Sequence, residues 1–119
     1  MVEVSTSILQ VEKDEIITKI YDLETAYADY FHIDVMDGVF VENNTVNKML
    51  EFCEYIKNIS QIPIDVHLMV KDVKSYIIAF SVFKPSIITF HLEACKNKDE
   101  VLSLIKLIKE ENIKVRNIY

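Results

Sequence analysis

Three short segments of this chain each place an acidic residue two positions from a histidine. They are His32 with Asp34, Asp65 with His67, and His91 with Glu93. On a β-strand, residues two apart point to the same face. In a buried strand an ionisable side chain is costly unless it is paired or holds a metal. Two imidazoles and a carboxylate converging from neighbouring strands suit Zn²⁺, Fe²⁺ or Mn²⁺ better than Mg²⁺ or Ca²⁺, which prefer oxygen ligands. A metal there would polarise a substrate carbonyl, and a carboxylate beside it could take the proton α to that carbonyl.

Blander readings compete residue by residue. A lone strand histidine is more often a satisfied core or surface residue than a ligand, and His91 is assigned so. Asp65 either shares the face of His67 or caps a loop. Asp37 and Asn43 flank the single glycine, Gly38, and turn chemistry alone would account for both. Met36 and Met69 read as packing that would also make an apolar wall for a reaction centre.

These residues need strands to hold them, and the pattern supplies strands alternating with helices. Strands are expected at 2–9, 30–36, 64–70, 87–92 and from 113. Helical apolar spacing falls at 11–28 (Ile16, Ile17, Ile20, Leu23, Tyr27) and at 46–59 (Met49, Leu50, Phe52, Cys53, Ile56). Asp72 is a fitting N-cap for a helix to residue 83, and a further helix starts at Asp99. Four βα repeats and the start of a fifth strand make an α/β protein with a parallel sheet, in one domain over 1–119. The pattern alone leaves an open doubly wound sheet and part of an eight-fold barrel equally possible.

Composition narrows the function classes. The net charge of -6 argues against nucleic acid or an anionic membrane surface as partner. No apolar run reaches the roughly 20 residues of a membrane helix, and the N-terminus has no signal-peptide pattern. The two cysteines, Cys53 and Cys95, lack CxxC spacing, so the expectation is a reduced, cytoplasmic protein. Average usage would give about eight glycines in this length, so no phosphate-cradling loop is expected.

The run His32-Ile-Asp-Val-Met-Asp-Gly-Val-Phe-Val41 resembles the signature segment of ribulose-phosphate 3-epimerases. Ser5-Thr-Ser-Ile-Leu9, Asp65-Val-His-Leu-Met-Val70 and Thr89-Phe-His-Leu-Glu-Ala94 follow the family in the right order. The resemblance implies a TIM-type (β/α) ribulose-phosphate-binding barrel that interconverts D-ribulose 5-phosphate and D-xylulose 5-phosphate in the pentose phosphate pathway. It implies His32, Asp34 and His67 as ligands of a divalent metal, Zn or Fe first and Mn or Co in the same class. It implies Asp34 as a catalytic base, Ser7 and His67 as substrate contacts, and Met36 and Met69 as flanks of the enediolate.

Departures accompany the likeness. Val41-Glu-Asn43 stands where the family reads Val-Pro-Asn, and no glycine falls within Thr45-Val-Asn-Lys48. The family's fourth ligand, which is also its second catalytic aspartate, and its phosphate loops would lie beyond this chain. The ending Val115-Arg-Asn-Ile-Tyr119 reads as a truncation or a shifted frame. The chain is therefore expected to be the N-terminal half of a barrel, weakly active or inactive alone. Its sheet should have open edges and an uncovered apolar face, so that the chain pairs with a second copy, pairs with the missing half or aggregates. An epimerase of a six-carbon ketose phosphate such as allulose 6-phosphate, and a non-catalytic fragment, are the alternatives.

Overall fold

The computed structural model describes residues 5–7, 15–25 and 29–118. Strands and helices alternate: β1 (Ser5–Ser7), α1 (Ile16–Thr25), β2 (Tyr30–Met36), α2 (Val46–Ile59), β3 (Ile64–Met69), α3 (Val73–Ser81), β4 (Ile87–His91), α4 (Lys98–Glu110) and β5 (Lys114–Ile118). The five strands form one sheet in sequence order, every neighbouring pair parallel. Of the expected first strand and first helix, positions 2–4, 8–9, 11–14 and 26–28 lie outside the described residues.

One face of the sheet is sealed by helices. Phe31, Ile33 and Val35 of β2, Ile64, Val66 and Leu68 of β3, and Ile88 and Phe90 of β4 are buried there. They share a core with Ile20, Met49, Phe52, Cys53, Ile56, Ile77, Phe80, Leu104 and Ile108 from the helices. Large apolar side chains two apart on each strand thus meet helix stripes three or four apart, the complementary periods of an α/β layer. Ile17, counted in the α1 stripe, is instead 47% exposed, and Ile20 alone of the described α1 side chains is fully buried.

The opposite face is not the apolar surface expected of it. The alternation that buries Phe31, Ile33 and Val35 turns His32 and Asp34 the other way, and the same step in β3 turns out Asp65 and His67. On β4 it turns out Thr89 and His91, and on β5 the register continues it with Lys114 and Arg116. The centre of this face, which no described helix covers, is therefore polar, because strand periodicity assigns the helix-facing positions to apolar residues and their alternates to polar ones.

Helix ends follow local chemistry. Asp72 caps α3 as expected, accepting from the Ser75 N–H at 3.4 Å and from the Ser75 hydroxyl at 2.7 Å. α3 ends at Ser81, short of residue 83, where Lys84 turns to a positive φ of 50°. α4 is capped by Asn97, whose side chain accepts from the Glu100 N–H at 2.9 Å; Asp99, expected to start the helix, sits in its first turn. Its far end closes with Asn112 at φ 61°, with Asn112 N–H donating to the Lys109 carbonyl and Ile113 N–H to the Ile108 carbonyl. That is a Schellman arrangement with asparagine where glycine is usual. The tail read as foreign to the family continues from it as β5, paired with β4 from Lys114 to Ile118.

Candidate metal centre

The candidate residues lie on one face of β2, β3 and β4. In the β2–β3 register His32 lies opposite Asp65, Asp34 opposite His67, and Met36 opposite Met69. Both facing pairs combine an acid with a histidine, so the i,i+2 pattern along each strand becomes a square of alternating groups across two. The His32 Nε2, the Asp34 Oδ1 and the His67 Nδ1 converge. Asp34 Oδ1 lies 2.7 Å from His32 Nε2 and 3.5 Å from His67 Nδ1. One donor atom from each of the three residues lies within 4.8 Å of the others, and all three side chains are half-buried.

Two further residues complete the cluster from outside. Asp65, nearly fully buried, lies with Oδ2 3.3 Å from His32 Nδ1. His91 lies with Nε2 2.8 Å from His67 Nε2, its ring stacked on that of His67 at 5.0 Å between centroids. His91, read as a satisfied residue and not a ligand, stays outside the three-residue donor group, and β4, running beside β3, carries it onto the same face to meet His67. Asp65 shares the His67 face and caps no loop. Glu93 does not join: β4 ends at His91, and Glu93 is exposed in a single 3₁₀ turn at Leu92–Ala94. The spacing rule fails there because the strand stops.

Hydrogen bonding to Asp34 and then to Asp65, partly opposed by burial, raises the His32 pKa from 6.5 to about 9. Burial first, and then the charge of His67, lowers that of His91. A proton on His32 thus answers two carboxylates, and a divalent cation at the Asp34 Oδ1 would answer them better. The donor set of two imidazole nitrogens and one carboxylate oxygen fits zinc or another borderline first-row ion.

The loop after β2 holds this edge of the site in shape. Asp37 Oδ1 accepts from the N–H groups of Val39 and Phe40, both at 2.8 Å, and Asp37 Oδ2 accepts from the Lys71 N–H at 2.8 Å. This carboxylate ties the loop beyond β2 to the loop beyond β3. Burial raises its pKa, but the backbone donors of Lys71, Phe40 and Val39 outweigh that and leave it below 3.8. Gly38 takes φ 76° inside the turn, where a side chain would be strained although a Cβ would meet only ordinary contact with the Asn44 side chain. Its N–H donates to the Asn43 carbonyl, so Asp37 and Asn43 are turn residues.

Thr45 had no signal in the sequence beyond lying near the signature. Its hydroxyl donates to the Asp34 carbonyl at 2.8 Å and accepts from the Met36 N–H at 3.0 Å, while its own N–H donates to the Met36 carbonyl at 2.8 Å. Met36 and Met69 stand side by side and half-buried at the strand ends. Ser7 is in register with His32; its expected substrate contact lies outside the described side chains.

A sequence model of the Ribulose-phosphate 3 epimerase family matches residues 3–117. A ribulose-phosphate 3-epimerase of Bacillus subtilis is 38% identical over 114 residues, covering 96% of this chain and 50% of that protein. The corresponding protein of Methanocaldococcus jannaschii is 32% identical over 117 residues, covering 98% of this chain and 48% of its own length. That of Escherichia coli is 45% identical over 82 residues, 68% of this chain and 36% of that one. The chain spans about half the length of the first two of these relatives.

Proposed function

The chain belongs to the ribulose-phosphate 3-epimerase family, and from that premise we propose that it carries the metal-binding half of a C3 epimerase acting on a ketose phosphate. The substrate pair is D-ribulose 5-phosphate and D-xylulose 5-phosphate, the reaction is that of the pentose phosphate pathway, and the setting is cytoplasmic. The observation that carries the reading is the convergence of His32 Nε2, Asp34 Oδ1 and His67 Nδ1 on one centre.

His32, Asp34 and His67 would hold the ion, Zn²⁺ or Fe²⁺ by donor type. The bound metal supplies a positive charge that polarises the ketose carbonyl and steadies negative charge on its oxygen. Asp34 uses one carboxylate oxygen at the centre and keeps the other for the proton at C3. His67, half-buried beside it, orients the sugar, and Ser7 adds a contact from β1. Met36 and Met69 wall the reacting carbons from water without offering a competing proton. Inversion needs a second proton-carrying group on the opposite face of C3. That group, the phosphate loops and the strands that close an eight-fold barrel belong to the length of the relatives beyond this match. The open sheet would then be completed by that part, or by a second copy of the chain.

Deuterium exchange tests this chain's share directly. With Zn²⁺ or Fe²⁺ and ribulose 5-phosphate in D₂O, the C3 proton should wash out, followed by ¹H NMR. Asp34→Asn should slow that exchange by about 10²-fold or more, the usual contribution of a positioned base. Unchanged exchange in Asp34→Asn would refute the assignment of the base. No exchange at high protein concentration would leave a non-catalytic chain, and faster exchange with allulose 6-phosphate would move the substrate to six carbons.

A further inference from the structure

Resting on the metal-site reading, we propose that Asp65 and His91 are positioning residues that lock the two histidine ligands in opposite tautomers. The two rings face the shared centre through different nitrogens. His32 offers Nε2 to Asp34 Oδ1, and His67 offers Nδ1 to the same oxygen. A neutral imidazole ligates through the nitrogen that lacks hydrogen, so its other nitrogen must carry the proton and needs an acceptor. His32 must therefore be protonated at Nδ1, and Asp65 Oδ2 lies 3.3 Å from that atom. His67 must be protonated at Nε2, and His91 Nε2 lies 2.8 Å from it. His91 accepts there through a bare Nε2 and so carries its own proton on Nδ1.

The strands explain why each ring uses the nitrogen it does. Asp65 sits directly across from His32 in the β2–β3 register, while His91 sits on β4, two positions beyond the residue opposite His67. Each ligand is thus oriented by a residue of the next strand along the sheet.

Asp65 has a second peculiarity. Its carboxylate is nearly fully buried, yet among the described residues Oδ1 accepts no hydrogen bond. A buried acceptor left half-satisfied carries a desolvation cost. Its one described partner is His32, so its contribution is to the ring it faces rather than to the core.

Two measurements test this on the 119-residue chain. In the zinc-loaded wild type, long-range ¹H–¹⁵N spectra of the rings should give His32 as the Nδ1–H form and His67 as the Nε2–H form. In chelator competition, Asp65→Leu and His91→Phe should each weaken zinc binding about 10- to 100-fold, the usual effect of losing an outer partner of a metal ligand. His91→Gln, which restores an acceptor oxygen, should recover most of that loss. The same tautomer on both rings, or an unchanged zinc affinity in both variants that keep their fold, would overturn the inference and leave the metal site standing. A wild type that binds no zinc would overturn both. If Asp65→Leu does not fold, the zinc affinities of His91→Phe and His91→Gln still decide whether an outer acceptor positions a ligand ring.

Discussion

Thr45→Val replaces a hydroxyl with a methyl of almost the same shape, and it addresses the way the C-terminal end of β2 is held. Threonine before a helix normally turns its oxygen onto the first turn of that helix. Thr45 stands at the N-cap of α2 but makes no such bond. Its hydroxyl instead bridges the Asp34 carbonyl and the Met36 N–H, and its N–H reaches the Met36 carbonyl. These are groups on the β1 side of β2, beyond His32, the last β2 residue in the described β1 pairing. One residue thus stands in for a neighbouring strand at the end of β2 that carries Asp34. In Thr45→Val the Met36 N–H loses its acceptor, which costs about 1–3 kcal/mol for a buried group. The bond is only part-buried, so the lower half of that range, about 1–2 kcal/mol, is expected. With a urea m-value of about 1.5 kcal/mol/M, the unfolding midpoint followed by circular dichroism should fall by about 0.7–1.3 M. Thr45→Ser keeps the hydroxyl and should recover most of the loss. If the valine variant unfolds with the wild type, or serine is as damaging as valine, the hydroxyl does not stitch this strand and the reasoning fails.

Two other expectations concern groups outside the metal cluster. Asp37 is held below its ordinary 3.8 by backbone donors, so its charge stabilises the fold above that value, and this contribution is lost as pH falls through the lower folded pKa. The gap in thermal midpoint between wild type and Asp37→Asn should therefore be widest near neutrality and close below about pH 4; a gap independent of pH would sink the claim. Burial pushes the Cys53 thiol up to about 12, whereas Cys95 is only half-buried. A thiol reagent at pH 8 should modify Cys95 in the folded chain and reach Cys53 only on unfolding; equal rates at the two sites would contradict the packing of α2 on the sheet.

The fold was legible wherever periodicity was strong. The β2, β3 and α2 segments lie where alternation or helical spacing placed them, because each buries one continuous face. Boundaries set by capping were less legible. Asn97 rather than Asp99 caps α4, since several polar residues in a row can each accept from the first turn and only the geometry selects one. At the site, two of the three acid–His pairs could be read from spacing, because β2 and β3 continue through both members. The third could not, because spacing alone does not say that β4 ends at His91. The approach of His91 to His67 was also hidden, as it depends on strand order and stagger rather than on any local pattern. Thr45 left no trace because its role is made of backbone partners, which any sequence supplies.

The geometry of the centre is set by residues that never touch it. Asp34 can share a point with His67 only while Ile33 pairs with Val66 and Val35 with Leu68 on the other face of the same strands. A slip of one residue in β3 would bring His67 to the helix side and expose Val66 to the centre, so the site and the core cannot be misplaced independently. Moving Ile64, Val66 and Leu68 out of the core would cost roughly 1.5–3 kcal/mol for each side chain. The three donors, placed on an open and half-hydrated face, have no comparable energy with which to choose a register before a metal binds. The apolar alternates of β2 and β3 therefore fix the geometry of the cluster, and the polar residues inherit it. That ordering is why a face that no described helix covers can still bring His32, Asp34 and His67 together.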